Sequence, residues 1–307
     1  MSDATFTLPS YAKINFTLRV HGRRPDGYHE IETLFQTITL RDELTFGALE
    51  RERFELNCTA DAPADDIPCD ETNLVHRAGA ALREHFGISR GARVELRKKI
   101  PSGGGLGGGS SNAAVALVGL ARLWEIETDR ATLARIGARL GADVPFFLTG
   151  GTALGTGRGA TILPLADAPP AHLLLVTPNV QVSTAEAYKS LDAPALTKPI
   201  SPVNLAVSRT QAEISGSLRA VLANDFERVV YRLYPEIERA RDALKAAGAQ
   251  GALLSGSGAS VFGLFDSARH CERAQASLKV EAGWRVFACA TLSRRAYEEA
   301  FGAGRFL

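Results

Sequence analysis

Six of the seven residues from Gly103 to Gly109 are glycine, with only Leu106 between them. A run so poor in side chains forms no regular element unaided, because glycine has the most conformational freedom to lose on folding. What it permits is close approach of backbone N–H groups to a ligand. The alternating residues Ala92 to Ile100 before the run predict a strand, and the alanine-rich residues Ala113 to Trp124 after it predict a helix. Strand, glycine loop and helix N-terminus in that order suit a phosphate, since loop amides and helix dipole both turn positive charge toward it. Ser110, Ser111 and Asn112 add polar groups at the helix start, where they can cap it, touch phosphate oxygens or face a metal. A flexible linker lacks such flanking elements.

Context argues against two other phosphate loops. Gly103, Gly105 and Gly108 satisfy the G-x-G-x-x-G spacing, a weak match alone. A dinucleotide fold needs a buried parallel strand before that loop, whereas Arg93-Val-Glu-Leu-Arg-Lys-Lys-Ile100 alternates charge with apolar residues as a half-exposed strand does. The acids about 20 residues on, Glu125, Glu127 and Asp129, follow a helix and not a strand. No Gly-Lys-Ser/Thr follows the glycines, so the loop is not of Walker type.

Elsewhere the first half reads strand-first. Ala12, Ile14, Phe16, Leu18 and Val20 alternate with Tyr11, Lys13, Asn15, Thr17 and Arg19, predicting a strand with one buried face and Lys13 and Asn15 together on the polar one. Alone, Lys13 reads as a solvated strand lysine. Pro25-Asp-Gly27 is a turn before a second extended segment, Glu30 to Leu40. Asp61 to Asp70 reads as a surface loop, and helices are predicted over Asn73 to Phe86 and Asp129 to Leu140, the latter closed by Gly141 as a left-handed C-cap. Asp143, in Gly141-Ala-Asp-Val-Pro145, reads by itself as a turn or cap aspartate.

Glycines and prolines between Gly150 and Pro170 place a domain break near residue 166, giving domains 1–166 and 167–307. Beyond it the pattern predicts strands at His172 to Thr177, Ala252 to Ser255, Val261 to Phe265 and Trp284 to Thr291. Helices are predicted at Ser183 to Leu191, Pro235 to Ala247 and Ala268 to Val280. Ser183-Thr-Ala-Glu186 has capping-box spacing, and Gly256-Ser-Gly258 reads as a tight hairpin. The fold class is α+β.

Charge and cysteines restrict function. With 35 basic against 34 acidic residues, net charge +1, the chain lacks the basic excess of a nucleic-acid surface. Cys58, Cys69, Cys271 and Cys289 are scattered without a C-x-x-C pair, indicating neither a zinc site nor a disulfide framework, as a reducing cytoplasm would have it. Met1-Ser-Asp-Ala-Thr-Phe-Thr-Leu lacks a signal-peptide pattern and no apolar run reaches 18 residues, so no membrane role is expected.

Pro9-Ser-Tyr-Ala-Lys-Ile-Asn15, Arg24-Pro-Asp-Gly-Tyr-His29, Pro101 to Ala114, Gly141-Ala-Asp-Val-Pro145 and Ser255-Gly-Ser-Gly-Ala-Ser260 occur in the order of the GHMP kinases, which the chain resembles from about residue 9 to about residue 265. The likeness is greatest to the members that act on a cytidylyl substrate. The resemblance implies a two-domain GHMP kinase fold, with a ribosomal protein S5 domain 2-like N-terminal domain, a ferredoxin-like C-terminal domain and the active site between. It implies ATP and Mg2+, the loop of Pro101, Ser102, Gly103, Gly104, Gly105, Leu106, Gly107, Gly108, Gly109, Ser110 and Ser111 around the phosphates, and Asn73 and Lys98 on the adenosine side. Asp143 becomes the catalytic base and Lys13 its electrostatic partner. Asn15, Tyr28, His29, Asp143, Thr184 and Tyr188 face the acceptor, with Tyr28-His29 meeting the cytosine; Thr184 alternatively only begins a helix. The partner is then a small molecule, the protein a monomer or weak homodimer, and the metal ligands stay unassigned. Ser102 and Tyr188 stand where an apolar residue and phenylalanine are familiar; neither change disturbs the loop or the aromatic plane. Tyr28-His29 separates this branch from homoserine and mevalonate kinases, and Lys13 with Asp143 separates it from a non-catalytic nucleotide-binding relative.

Overall fold

The computed structural model describes residues 5–50, 52–61, 67–191 and 218–302; residues 62–66 of the expected Asp61 to Asp70 loop lie outside them. Two long strands, β1 (Phe6–Arg23) and β2 (His29–Leu49), form the spine, antiparallel from Phe6↔Phe46 to Arg23↔His29. The other edge of β2 changes partner along its length. Ile31 to Gln36 pair with β5 (Thr152–Gly157), which pairs on with β6 (Thr161–Pro164), whereas Glu43 to Leu49 pair with β4 (Gly91–Lys98). β3 (Phe54–Ala60) runs parallel to β4 through the crossover helix α1 (Leu74–Phe86), an arrangement the sequence patterning did not anticipate. The sheet order is β3-β4-β2-β1-β8, where β8 (Ala223–Asn224) is supplied from the second half of the chain.

The second sheet comprises β7 (His172–Thr177), β9 (Gly251–Leu254), β10 (Val261–Phe265) and β11 (Arg285–Ala290) in the antiparallel order β11-β7-β10-β9. Helices lie between its first and second strands, α5 (Thr184–Ser190), α6 (Glu227–Leu233) and α7 (Pro235–Ala246), and between its third and fourth, α8 (Ala268–Ser277). This is the βαββαβ order of a ferredoxin-like domain, so the α+β reading holds.

Apolar residues form three layers of core. One lies between the large sheet and α1, α2 (Gly108–Leu123), α3 (Arg130–Leu140) and α4 (Val144–Phe147). A second lies between the two sheets, where Ile14, Phe16 and Leu34 meet Leu173, Leu175 and Phe262. The third lies under the helices of the small sheet. Burying Phe16, edge-on to Phe262 at 6.3 Å, contributes roughly 1.5–3 kcal/mol. The sheets therefore face each other, and β1 is covered on both sides: Ser10 to Phe16 are all buried. The expectation of one buried face, and of Lys13 as a solvated lysine, is corrected by this, because alternation cannot reveal that the polar face of β1 is also roofed. Gly141 is a second correction. Its φ of −177° is ordinary extended backbone, so α3 ends without a left-handed cap. A final helix, α9 (Arg294–Glu299), returns to the first core, where the buried Tyr297 hydroxyl donates to the Phe147 carbonyl.

Candidate active site

Helix α2 begins at Gly108, five residues before the apolar pattern starts, so the last glycines are helical. Tertiary contact, not propensity, decides this. A Cβ on Gly108 would lie 2.8 Å from Lys98 Nζ, and one on Gly107 would lie 2.8 Å from the Phe147 ring. Gly107 is the N-cap with φ +70° and gives no side-chain cap, leaving the first-turn amides of α2 for a ligand. Gly105, φ +72°, is held still more closely: its Cβ would lie 2.1 Å from the Ser255 carbonyl oxygen. Ser255 Oγ donates to the Gly105 carbonyl at 3.0 Å and Ser260 N to that of Gly104 at 3.1 Å. The hairpin between β9 and β10, carrying Gly256-Ser-Gly258, thus docks the second sheet onto the glycine loop.

Lys13 stands beside this loop. Register shifts between Tyr11 and Lys13 and between Asn15 and Thr17 bracket Lys13 and Asn15 on β1, and such irregularities re-aim side chains. Lys13 N donates to the Leu106 carbonyl at 2.9 Å, and its ammonium donates to Asn15 Oδ1 at 2.8 Å and to the Gly105 carbonyl at 3.0 Å. Its remaining side meets Asp143 Oδ2 at 3.5 Å. Burial pulls the Lys13 ammonium below the ordinary lysine range, and the neighbouring Asp143 carboxylate opposes that pull. Asp143 occupies the N-cap position of α4, yet its carboxylate makes no cap hydrogen bond and is turned to Lys13 instead.

Lys13, Asn15, His29, Asp143, Thr184 and Tyr188 line one cleft of 1130 Å³ together with Gly105 and Gly107. Asn15 is fixed by Nδ2 donating to Thr33 Oγ1 at 2.7 Å. His29 stacks on Tyr188 with centroids 4.7 Å apart, and Tyr188 meets Phe226 edge-on at 4.8 Å. Burial, reinforced by Arg23, lowers the His29 pKa and so favours the neutral imidazole, which donates from one nitrogen and accepts at the other. Burial, with Asp143 nearby, pushes the Tyr188 phenol up to about 12. Tyr28 is 56% exposed at the cleft mouth, with the Arg158 guanidinium 4.4 Å from its ring centroid. Thr184 Oγ1 lies 2.9 Å from Ser257 Oγ, and the capping box is half made: Ser183 Oγ accepts from Glu186 N, while the Glu186 carboxylate accepts from Tyr234. Arg158, Phe226 and Ser257 also line the cleft. Sequence reasoning passed over Arg158 and Phe226 because an arginine in a Gly-Arg-Gly turn and a helix-start phenylalanine carry no spacing signal, whereas Ser257 falls in the Gly256-Ser-Gly258 motif already singled out.

Other expected residues serve the site less directly. Asn73 is the N-cap of α1, its Oδ1 accepting from Val75 N at 2.9 Å. A Cβ on Gly109 would lie 3.6 Å from Leu74, so this cap abuts the glycine loop. Lys98 is buried and its ammonium donates to Asp42 Oδ2 at 2.8 Å. Pro101 and Leu106 are buried, while Ser102, Gly103 and Gly109 are exposed. Ser111 is buried and accepts from the Ser10 hydroxyl at 2.8 Å; Ser110 is half-buried and faces the Gly141 segment.

Residues 73–151 match the family model "GHMP kinases N terminal domain" and residues 209–282 match "GHMP kinases C terminal". The chain is 42% identical over 263 residues to the 4-diphosphocytidyl-2-C-methyl-D-erythritol kinase of Chlorobaculum parvum, covering 85% of this chain and 90% of that one. It is 44% identical over 260 residues to the enzyme of the same name from Moorella thermoacetica, covering 84% and 89%. A crystal structure of 4-(cytidine 5'-diphospho)-2C-methyl-D-erythritol kinase superimposes with a TM-score of 0.74 at 34% identity, over 93% of this chain and 99% of that one. Homoserine kinase from Cytophaga hutchinsonii shares the fold at 22% identity and a TM-score of 0.68, over 95% and 96%.

Proposed function

The chain belongs to the GHMP kinases, and from that membership we propose that it phosphorylates the 2-hydroxyl of 4-diphosphocytidyl-2-C-methyl-D-erythritol. It is an ATP-dependent kinase of isoprenoid precursor biosynthesis, yielding the 2-phosphate and ADP. The observation that carries the mechanism is the Lys13–Asp143 pair at 3.5 Å, beside a glycine loop whose helix N-terminus is uncapped. Phosphoryl transfer asks a protein mainly for positioning and charge stabilisation. The acceptor oxygen forms a bond to the terminal phosphorus as the bond to the bridging oxygen breaks, and ADP departs with that electron pair. Asp143 accepts or orients the hydroxyl proton, Lys13 pairs with the carboxylate and polarises the attacking oxygen, and loop amides stabilise the charge on the phosphoryl group.

His29 and Tyr188 form the aromatic shelf on which a cytosine would stack, with the neutral imidazole matched to the donors and acceptors of its edge. Tyr28, Asn15 and Thr184 face the same cleft. Asn73 and Lys98 belong to the nucleotide side, Asn73 through the cap that abuts Gly109. Magnesium bound with the nucleotide's phosphates would supply charge neutralisation, and the half-buried Ser110 hydroxyl at the start of α2 is a loop group that would be available to hold it. We divide the chain at 166/167, supported by the change of sheet between Pro164 and His172, although β8 and α9 cross back. Among the described residues no helix is long and apolar enough to cross a membrane. The working form is a cytoplasmic monomer or weak homodimer acting on small molecules.

ADP release from ATP and magnesium, compared for 4-diphosphocytidyl-2-C-methyl-D-erythritol, homoserine, mevalonate and no acceptor, tests this. Turnover with the cytidylyl acceptor alone is expected. Turnover with homoserine or mevalonate instead would keep the transfer chemistry and overturn the acceptor.

A further inference from the structure

Asp42 is fully buried, and no sequence pattern marked it. Its place in the sheet explains both facts. It lies in the segment of β2 between the residues paired with β5 and those paired with β4, so an outer partner strand does not claim the space beside it. The carboxylate fills that gap. Oδ1 accepts from Lys99 N at 2.7 Å and Ile100 N at 2.8 Å, which are the last residues before the glycine loop. Oδ2 accepts from Lys98 Nζ at 2.8 Å and from Asn112 Nδ2 at 2.9 Å, and Asn112 is in the first turns of the helix after the loop. Asn112 Nδ2 also reaches Ser10 Oγ at 2.8 Å, and Ser10 donates to Ser111.

Both flanks of the glycine loop are therefore tied to one side chain that the loop does not contain. The loop needs such a tie. Residues Gly103 to Gly109 carry one side chain among them, that of Leu106, and glycine backbones lose the most entropy when fixed. A displacement of about 1 Å in a phosphate-binding backbone is enough to cost about 100-fold in rate. Stability alone does not account for the arrangement, since a buried ion pair is often replaceable by apolar residues without loss. Two of the four bonds go to backbone amides of the loop's leading flank, where an ion pair with Lys98 needs none.

We propose that Asp42 is a positioning residue for ATP: it sets the separation of the loop's two flanks and so the affinity for the nucleotide's phosphates, without touching them. The same geometry gives Lys98 its role, which is to brace the first turn of α2 from beneath Gly108. The proposal rests on the reading of the glycine loop as the ATP site.

Asp42→Asn and Asn112→Ala test it in the full chain. Asn keeps the shape but replaces one acceptor oxygen with a donor that faces Lys98 and Asn112 or the two amides. Asn112→Ala leaves the Lys98–Asp42 pair intact and cuts only the tie to α2. Asp42→Asn is expected to raise the KM for ATP at least about 10-fold, and Asn112→Ala about 3-fold, with the KM for the cytidylyl acceptor within about twofold of wild type in both. The thermal shift produced by ADP should shrink in the same order. A merely structural role would lower the melting temperature of each variant and leave the ATP KM in place. ATP KM values within about twofold of wild type in both variants overturn the proposal, as does an equal rise in the acceptor KM. If Asp42→Asn does not fold, Asn112→Ala decides by the same readings. If wild type does not turn over the acceptor, the proposed function fails, and calorimetric ADP binding to the same variants still reads the loop.

Discussion

Asp143→Asn removes the carboxylate that faces Lys13 and leaves its shape, so its consequences follow from one distance. Two unit charges 3.5 Å apart interact by about 1 kcal/mol at the dielectric of water and about 5 kcal/mol at an effective value near 20. The Lys13 side chain is 4% exposed but that of Asp143 is 32% exposed, so solvent screening brings the interaction to roughly 1.5–3 kcal/mol. Because that attraction favours the ammonium, the substitution should lower the Lys13 pKa further. Burial already holds it below the ordinary lysine range. Between the lowered folded value and the unfolded one the unfolded chain binds more protons, so stability rises with pH while the ammonium needed for transfer is lost. In Asp143→Asn this window extends to lower pH. An NMR titration of the Lys13 ammonium, which does not depend on turnover, reads the shift; kcat should fall at least roughly 100-fold with the ATP KM nearly unchanged. A Lys13 pKa that stays put or rises refutes the electrostatic reasoning. A kcat within about threefold of wild type removes Asp143 from the reaction.

Gly105→Ala and Gly103→Ala form a matched pair, because φ is +72° and +67° respectively but only Gly105 has backbone within 4 Å of the added Cβ. Gly103→Ala should cost only about 1–2 kcal/mol of stability, whereas Gly105→Ala must also displace the Ser255 hairpin and should raise the ATP KM at least about 10-fold; equal kinetics in the two variants would separate loop shape from ATP binding. Tyr188→Phe keeps the ring on His29 and should leave the acceptor KM within about threefold, while Tyr188→Ala should raise it at least about 10-fold with the ATP KM unchanged, a stacked base being worth about 1–3 kcal/mol. Equal acceptor KM values for the Phe and Ala variants would end the stacking role.

What the sequence disclosed depended on the kind of physics each element obeys. β7 and β10 fall where their short apolar runs predicted, and α1 starts after the predicted Asn73, because burial of an apolar stretch and capping are local. The glycine loop is legible for the same reason: only close backbone approach calls for so many missing side chains in a row. β3, β5, β6 and α9 were not foreseen. The first mixes Glu55, Asn57 and Thr59 with its apolar residues, and α9, Arg-Arg-Ala-Tyr-Glu-Glu, reads as solvated although its Tyr297 is buried in the first core. Long-range docking overrides composition there.

Charged residues are the harder case. A lone lysine or aspartate is almost always at the surface, which is the default a sequence reading must adopt. The charged side chains buried among the described residues are Lys13, Glu32, Asp42 and Lys98, and three of the four adjoin the glycine loop. Burying a charge is costly unless it is paired and hydrogen-bonded, so such groups persist where their orientation is needed. Lys13 is matched by Asp143 and Lys98 by Asp42. The two pairs differ in one respect that assigns their roles. Asp143 is partly exposed in the cleft and able to exchange a proton with an acceptor, whereas Asp42 is sealed and engaged by four donors. One pair is therefore suited to the proposed chemistry and the other to the proposed holding of the loop, and only the first had a motif by which a reader of the sequence would find it.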